Sequence, residues 1–304
     1  MSITVTNLTK TYGAQKAVNN ISFSVNKGEI VGFLGPNGAG KSTTMKIITG
    51  YIEADGGTAA VCGETVSSNS LNTKKKIGYL PEANPLYFDM YVREYLEFVA
   101  GVHGIQQKKE KIESAIETVK LKLEANKKIG QLSKGYKQRV GIAAALIHDP
   151  EVLILDEPTS GLDPNQIIEI REVIKHLGKN KTVLFSSHIL QEVEAICDRV
   201  IIINRGNIVA DDLLSNLQKA NVTQQQVNVE FKEQINIDDL QSLPEIISIN
   251  QMSASHFQLS TNNPELVRKQ LLELSLKNNL NIVSLQSESN SLEDIFRNLT
   301  SANN

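Results

Sequence analysis

The residues in this chain that are best suited to chemistry form one short loop. It follows an apolar strand, Ile30 to Leu34, and precedes a helical segment, Lys41 to Ile48. Its glycines let the backbone turn so that several N–H groups point at one anion beside the positive end of a helix. Lys41 then reaches the outer phosphates and the Ser42 hydroxyl binds Mg²⁺, so the loop predicts a nucleoside triphosphate site. The loop consists of Gly35, Pro36, Asn37, Gly38, Ala39, Gly40, Lys41, Ser42 and Thr43.

Two adjacent carboxylates follow a second apolar strand. Val152 to Leu155 has the composition of a strand buried on both faces, and Asp156 and Glu157 come directly after it. Ligands bind at the carboxyl edge of a parallel sheet. We therefore expect Asp156 to bind Mg²⁺ and Glu157 to act as general base on the water that attacks the γ-phosphate.

A histidine and a tyrosine are candidates for the same site. His188 follows the strand Thr182 to Phe185, so we expect it at the same sheet edge as Glu157, with an imidazole proton on the γ-phosphate. Tyr12 lies in a turn, where it either packs as a half-exposed side chain or stacks on a nucleobase. The residues alone leave both interpretations of Tyr12 open. The other histidines lack such a context and are predicted to be surface or packing residues: His103, His148, His176 and His256.

The order of the elements predicts an α/β core with a helical insert. Strand and helix patterns alternate through residues 1–213, and at about residues 82–132 the apolar period changes from two to nearly four. The second helix of this insert is expected to bury Leu123. Ser133 then caps one helix, and Asp163 caps the next with Pro164 at its first position.

Residues 214–304 change character, being rich in Gln, Asn and Ser. Their order of strands and helices predicts a small ferredoxin-like α+β domain, with a last helix that opens at a capping box on Ser291. This domain has no catalytic cluster, so we expect a dimerising or regulatory module.

Composition sets limits on partners and compartment. The formal net charge of the 304 residues is −3, which gives no reason to expect nucleic acid as a partner. Cys62 and Cys197 lie far apart in apolar segments and are predicted to be reduced core residues in the cytosol. The chain opens as a strand without a signal-peptide pattern, and its apolar stretches are too short to span a bilayer. Any membrane crossing would then come from a partner.

Together these motifs resemble the nucleotide-binding domain of ABC (ATP-binding cassette) transporters over roughly the first seven-tenths of the chain. The resemblance implies a phosphate-loop NTPase cassette: a mixed-sheet core with antiparallel β and helical subdomains, binding ATP with Mg²⁺. It identifies Tyr12 as the adenine-stacking aromatic and Glu82 as the Q-loop residue, a ligand of nucleotide and Mg²⁺. The remaining motifs are Walker A (residues 35–43), the signature (132–136), Walker B (Asp156 and Glu157), the D-loop (Ser160 to Asp163) and the switch histidine, His188.

The sequence departs from the family pattern in two places. Glu82 stands where the family usually has Gln, and its carboxylate suits Mg²⁺ but adds negative charge beside a triphosphate. The signature usually reads Leu-Ser-Gly-Gly-Gln, and here Lys134 and Tyr136 replace the third and fifth residues. Ser133 and Gly135, which face the phosphate in the family, are retained, so the resemblance implies an anion site at that helix N-terminus.

The same resemblance implies the partners. In this family the signature of one domain completes the nucleotide site of another, which implies a head-to-tail homodimer or heterodimer, with Asp163 also at the shared site. ATP would close the dimer and hydrolysis would release it. A separate transmembrane permease would dock on the insert and on Pro81 to Tyr91, holding the protein at the cytoplasmic face of the membrane. The whole chain most resembles the exporter branch that serves gliding motility.

Two other classes fit the residues less well. One is a soluble ABC ATPase acting on ribosomes or DNA, but ribosome factors usually carry two cassettes in a chain, and the chromosome type has long heptad arms. The other is an unrelated phosphate-loop kinase, which would need neither Ser133 to Gly135 before a helix nor Asp163 in its loop.

Overall fold

The computed structural model describes residues 1–220, 225–288 and 292–301. The chain divides into two units, Met1–Leu213 and Leu214–Asn304. The capping box predicted at Ser291 lies outside the described residues. Within the described ranges, no helix combines the length and the apolar character needed to cross a bilayer.

The first unit alternates strands and helices. Its strands are β1 (Ile3–Tyr12), β2 (Gln15–Val25), β3 (Ile30–Leu34), β4 (Gly56–Val61), β5 (Glu64–Thr65), β6 (Ile77–Leu80), β7 (Val152–Leu155), β8 (Thr182–Ser187), β9 (Arg199–Asn204) and β10 (Asn207–Leu213). Its helices are α1 (Lys41–Ile48), α2 (Leu71–Lys76), α3 (Val92–Val102), α4 (Lys108–Thr118), α5 (Lys134–Leu146), α6 (Pro164–Gly178) and α7 (Leu190–Ile196).

Two sheets organise this unit. The larger has the order β10-β9-β3-β8-β7-β6, parallel except for β10, and the smaller is antiparallel with the order β2-β1-β4-β5. All four residues of β7 are buried, as expected for a strand covered on both faces. Because β3, β7 and β8 are parallel neighbours, the segments that follow them meet at one edge of the sheet. This confirms the predicted mixed-sheet core.

The helical insert lies between β6 and α5. The inward side chains of α3 and α4, including Val92, Leu96, Ile112 and Ile116, are buried at helical spacing. Leu123 is 89% exposed, contrary to expectation. The physical reason is that α4 ends at Thr118, so the helical period that placed Leu123 inward no longer applies.

A groove of about 550 Å³ runs between the insert and the large sheet. Two stacked histidines line it: the ring centroids of His103 and His148 are 4.0 Å apart and their planes differ by 1°. One nitrogen of His148, Nε2, lies 3.0 Å from the carbonyl oxygen of Ile77, and Nδ1 is buried without a hydrogen-bond partner among the described residues. These two histidines are therefore packing residues, and their burial disfavours the protonated form.

Acid should destabilise the folded chain through this pair. Burial, with repulsion from His103, lowers the pKa of His148 from 6.5 to about 4. Below pH 6.5, His148 binds a proton in the unfolded chain, but in the folded chain it binds one only near pH 4. The free energy of unfolding should therefore fall with pH by up to about 1.4 kcal/mol per unit over this window. The free energy of unfolding can be measured in urea between about pH 7 and 5.5. This range lies above the pH at which carboxylates titrate, so their contribution is small. His148→Asn should flatten the dependence, whereas exposed His176→Asn should keep it; equal slopes in both variants would contradict the assignment.

The second unit has the predicted ferredoxin-like topology. It consists of α8 (Leu214–Ala220), β11 (Gln225–Phe231), α9 (Ile237–Gln241), β12 (Ile246–Gln251), β13 (His256–Thr261), α10 (Pro264–Lys277), β14 (Ile282–Glu288) and α11 (Leu292–Ser301). The sheet is antiparallel with the order β12-β13-β11-β14, the order of a βαββαβ fold. Alternate side chains of β11, Val227, Val229 and Phe231, are buried, so one face of the sheet forms the core of this unit.

Candidate functional site

The phosphate loop leaves β3 at the carboxyl edge of the large sheet and leads into α1. Gly40, the residue before α1, has φ of +112°, in the region that favours glycine. A Cβ at this position would also clash with the carbonyl oxygen of Ala17. Glycine is therefore required at Gly40, both for the turn and for the close approach of β2.

A cavity of about 360 Å³ lies at this edge of the sheet. It is smaller than the groove beside the insert, but it holds most of the predicted chemistry. Its lining residues are Tyr12, Gln15, Ala17, Asn37, Gly38, Gly40, Lys41, Ser42, Thr43, Glu82 and Glu157. Tyr12 and Glu82 are exposed at this cavity, with Tyr12 51% exposed, which leaves its ring accessible for stacking. Sequence reasoning missed Gln15 and Ala17, because strand periodicity does not say which backbone comes close to a loop.

Lys41 is a buried cation held by exchangeable partners. It is 5% exposed, and Nζ donates to the carbonyl oxygens of Gly35 at 2.8 Å and Pro36 at 3.2 Å. The same ammonium lies 3.3 Å from Oε1 of Glu157, an ion pair without hydrogen-bond geometry. Phosphate oxygens would satisfy this charge better than neutral carbonyls do, so the ammonium is poised to bind an anion in the cavity.

Asp156 and Ser42 form a pair of oxygen ligands. The Ser42 hydroxyl donates to Oδ1 of Asp156 at 3.1 Å, and the Ser186 hydroxyl donates to the same atom at 2.7 Å. Burial raises the pKa of Asp156, as does the neighbouring Glu157, while the two hydroxyl hydrogen bonds and Lys41 act in the opposite direction.

These oxygens fit Mg²⁺. Adjacent ligands of an octahedral Mg²⁺ stand about 3 Å apart, close to the observed separation of the Ser42 and Asp156 oxygens. Among the described residues, no three His, Cys, Asp or Glu side chains form a metal cluster. This suits Mg²⁺, which usually takes one or two protein carboxylates and completes its shell with phosphates and water.

Glu157 and His188 form a contact pair beside the loop. Oε2 of Glu157 lies 2.8 Å from Nδ1 of His188, and Glu157 itself is 5% exposed. Glu157 has a positive φ of +49°, which costs a non-glycine residue about 1 kcal/mol or more. Its backbone N–H donates to the Ser186 hydroxyl at 2.8 Å, which helps to hold this conformation. A buried carboxylate that lines the cavity and is oriented by an imidazole is suited to take a proton from water.

Eight predicted site residues do not line this cavity. Gly35, Pro36 and Ala39 belong to the loop itself, and Asp156 and His188 contact residues that line the cavity. The other three are Ser133, Gly135 and Asp163. They cluster around Gln166. Ser133 caps α5 by accepting from the N–H of Tyr136 at 3.4 Å, and its hydroxyl also accepts from Nε2 of Gln166 at 3.3 Å. Asp163 caps α6 by accepting from the N–H of Gln166 at 3.0 Å, and a Cβ on Gly135 would clash with the Gln166 side chain. No sequence pattern points to Gln166, because its role depends on two helix starts that meet in space.

Comparison with known proteins bears on both units. A model of the ABC transporter family matches residues 18–160, and a model of the C-terminal domain of DrrA1-3-like ATP-binding proteins matches residues 214–300. The linearmycin resistance ATP-binding protein LnrL of Bacillus subtilis (strain 168) is 37% identical over 305 residues, 97% of this chain and 96% of LnrL. The chain belongs to the ATP-binding proteins of ABC transporters.

Other relatives of this ABC protein agree. The bacitracin transport ATP-binding protein BcrA of Bacillus licheniformis is 43% identical over 221 residues, 72% of each chain. The cassette MJ0796, solved as a dimer in a post-hydrolysis state with ADP and Pi, has a TM-score of 0.63 and 26% identity, covering 70% of this chain and 98% of that chain. The predictions of an ABC cassette and of ATPase activity are confirmed: the ABC protein binds and hydrolyses ATP.

Proposed function

We propose that this ABC ATPase powers a separate transmembrane exporter, as one half of a dimer whose nucleotide sites lie between two subunits. The observation that carries this proposal is the division of the predicted site residues into two clusters. Lys41, Ser42 and Glu157 line the cavity, whereas Ser133 and Gly135 do not. A serine-capped helix start is an anion-binding end, and a second subunit would bring that end to the nucleotide. The partner subunit is either another copy of this chain or a related chain.

Each residue of the cavity has a proposed task in hydrolysis. Lys41 exchanges its carbonyl partners and Glu157 for the outer phosphates of ATP, and Tyr12 stacks on the adenine. Once Lys41 has turned to phosphate, the Glu157 carboxylate accepts a proton from the attacking water. His188 keeps Glu157 oriented through Nδ1. An imidazolium, which has an N–H donor on each ring nitrogen, would use Nδ1 for Glu157 and Nε2 for the γ-phosphate.

The Mg²⁺ site is part of the same proposal. Ser42 and Asp156 would hold the ion, with Glu82 near it. When bound, Mg²⁺ would neutralise charge that develops on the phosphates. Asp163 uses its carboxylate to cap α6. We therefore propose that it supports Ser133 through Gln166 at the shared site, without a direct bond to nucleotide.

The permease is proposed to dock at the groove beside the insert. Four aromatic side chains in this region are about half exposed: Tyr87, Phe88, Tyr91 and Phe98. Exposed aromatics beside a concave surface are typical of protein interfaces. Residues of the groove also follow directly on β6, which pairs with β7, the strand that directly precedes Asp156. A force applied at the groove would thus reach the nucleotide site through two paired strands, and the protein would work at the inner face of the membrane.

The names of relatives support an exporter. LnrL is named for linearmycin resistance, BcrA for bacitracin transport, and a relative from Burkholderia orbicola, 40% identical over 208 residues, for Nod factor export. These names lend no support to gliding motility, nor to the alternative of an ATPase acting on ribosomes or DNA.

Co-purification tests the proposal. A tagged chain extracted with mild detergent should bring a polytopic membrane protein with it. The double variant Tyr87→Ala/Phe88→Ala should lose that protein while the purified variant still binds ATP, because neither side chain lines the nucleotide cavity. Leu123→Ala, a truncation of another exposed side chain of the insert, should retain it. Recovery of ribosomes or DNA in place of a membrane protein would overturn the proposal.

A further inference from the structure

One buried carboxylate outside the nucleotide cavity has no role in the proposed mechanism of hydrolysis. Glu192 on α7 is 2% exposed, and its Oε2 atom accepts two short hydrogen bonds. One comes from the Thr159 hydroxyl at 2.6 Å and the other from the Ser187 hydroxyl at 2.7 Å, and both donors are themselves buried. Its second oxygen, Oε1, is buried and has no hydrogen-bond partner among the described residues.

The two donors belong to the two segments that carry the reacting pair. Thr159 lies two residues after Glu157, in a turn where the N–H of Ser160 donates to the Glu157 carbonyl oxygen at 3.1 Å. Ser187 lies immediately before His188. Since Glu157 and His188 are 2.8 Å apart, a closed ring of contacts runs from Glu157 through Thr159, Glu192 and Ser187 to His188.

Ser187 also supports the phosphate loop. Its carbonyl oxygen accepts from the N–H of Gly35, the first loop residue, at 3.3 Å, and its hydroxyl accepts from the N–H of Ile189 at 3.0 Å. The phosphate loop and the segment that carries His188 are thereby tied to Ser187, and Ser187 is tied to Glu192.

Burial of the Glu192 carboxylate costs free energy of desolvation, which favourable contacts must offset. No described cation forms an ion pair with Glu192, so its desolvation is offset by the two hydroxyl donors and by the positive end of α7, in whose first turn it lies. Two donors on one oxygen give short, charge-assisted bonds, which fix the separation of the two segments more firmly than neutral contacts would. Glu157 and His188 are the residues that this fixed separation supports. Glu157 has a strained backbone with a positive φ, and His188 is exposed.

We propose that Glu192 is a positioning residue for ATP hydrolysis, which sets the Glu157 carboxylate and the His188 ring against each other by binding Thr159 and Ser187. The inference rests on the proposed roles of Glu157 and His188. Glu192 lines no part of the nucleotide cavity. It binds the Ser187 hydroxyl, whereas the phosphate loop is bound by the Ser187 backbone carbonyl oxygen. Loss of Glu192 should therefore lower the rate of the chemical step and leave ATP binding almost unchanged.

The test compares variants that remove or keep the bridging oxygen. Glu192→Ala should lower kcat by about 10- to 100-fold, because small displacements of catalytic groups have effects of this size. ATP affinity, measured by titration with a fluorescent nucleotide analogue, should change less than about twofold. Glu192→Gln keeps an acceptor oxygen and should retain most of the activity, and Thr159→Val should lose part of it. Glu172→Ala, which removes an exposed carboxylate from α6 at a surface ion pair, is the control and should behave like the unmodified protein.

The Glu157→Gln variant serves as a second background, in which a positioning role of Glu192 can be distinguished from general support of the fold. If Glu192 acts through Glu157, then Glu192→Ala should cost little further activity in a Glu157→Gln protein. Unchanged kcat in folded Glu192→Ala would overturn the proposal. So would a parallel fall of kcat, ATP affinity and Tm that persists in the Glu157→Gln background. Should Glu192→Ala fail to fold, Thr159→Val, which removes one of the two donors to Glu192, gives the same comparison. Failure of the proposed function itself would appear separately, as undiminished turnover in Glu157→Gln alone.

Discussion

Replacement of Glu157 by Gln is expected to lower ATP hydrolysis by about 100-fold or more, since a general base contributes about 10²- to 10⁴-fold. Glutamine keeps the shape of the side chain, including an oxygen that can face His188, but it cannot accept the proton of the attacking water. The contact of the Glu157 side chain with Nδ1 of His188 at 2.8 Å holds this carboxylate in the cavity, where it would meet the water. Phosphate release under saturating ATP measures the loss.

ATP binding should persist or become tighter in Glu157→Gln. In the folded chain Oε1 of Glu157 lies 3.3 Å from Nζ of Lys41, where it competes with phosphate for that ammonium. A neutral amide competes less, so a trapped nucleotide should hold the dimer closed, visible as an ATP-dependent increase in molar mass by light scattering. Glu172→Gln, an exposed glutamate on α6, is the control. Unchanged turnover in Glu157→Gln would reject the assignment of the base.

The placement of the reacting residues was within reach of sequence reasoning because it depends on topology. Apolar runs identify β3, β7 and β8 as buried parallel strands, and parallel strands present their carboxyl ends at one edge. Once this is known, the loop after β3, Asp156 and Glu157 after β7, and His188 after β8 must meet. The observed contacts from Ser42 to Asp156 and from Glu157 to His188 follow from that geometry.

The supporting residues were not predictable, because their contacts do not follow from strand topology. Glu192 contacts Thr159, and Gln166 contacts Ser133, across 33 residues of chain in each case, and neither periodicity nor a motif encodes such pairs. One signal was available: two serines end β8, and alternation along a strand sends them to opposite faces. Ser186 then faces Asp156 and Ser187 faces Glu192, as observed. The exposure of Leu123 shows the complementary limit, that a periodic pattern does not reveal where its helix ends.

Replacement of Ser133 by Arg is expected to abolish hydrolysis while each chain still binds ATP. The phosphate loop is untouched, because Ser133 does not line the cavity. The arginine would remove the cap of α5, worth about 1 kcal/mol. It would also place a long cationic side chain where the signature segment of one subunit is proposed to close on the nucleotide of its partner. Ser133→Ala removes the cap without the bulk and is the control; it should fold equally well and retain more turnover. Wild-type turnover by a monomeric Ser133→Arg protein would reject the shared site.

Mixed dimers decide whether the two sites are shared and whether they are coupled. In a dimer of Ser133→Arg with Lys41→Ala, one site combines both defects, since it has the altered loop of one subunit and the altered signature of the other. The second site has an intact Lys41 and an intact Ser133, contributed by different subunits. Activity that appears only on mixing two inactive variants would show that each site draws on both chains. A mixed dimer that binds ATP at its intact site but stays inactive would show that hydrolysis requires both sites at once, because closing one interface needs the γ-phosphate contacts of the other.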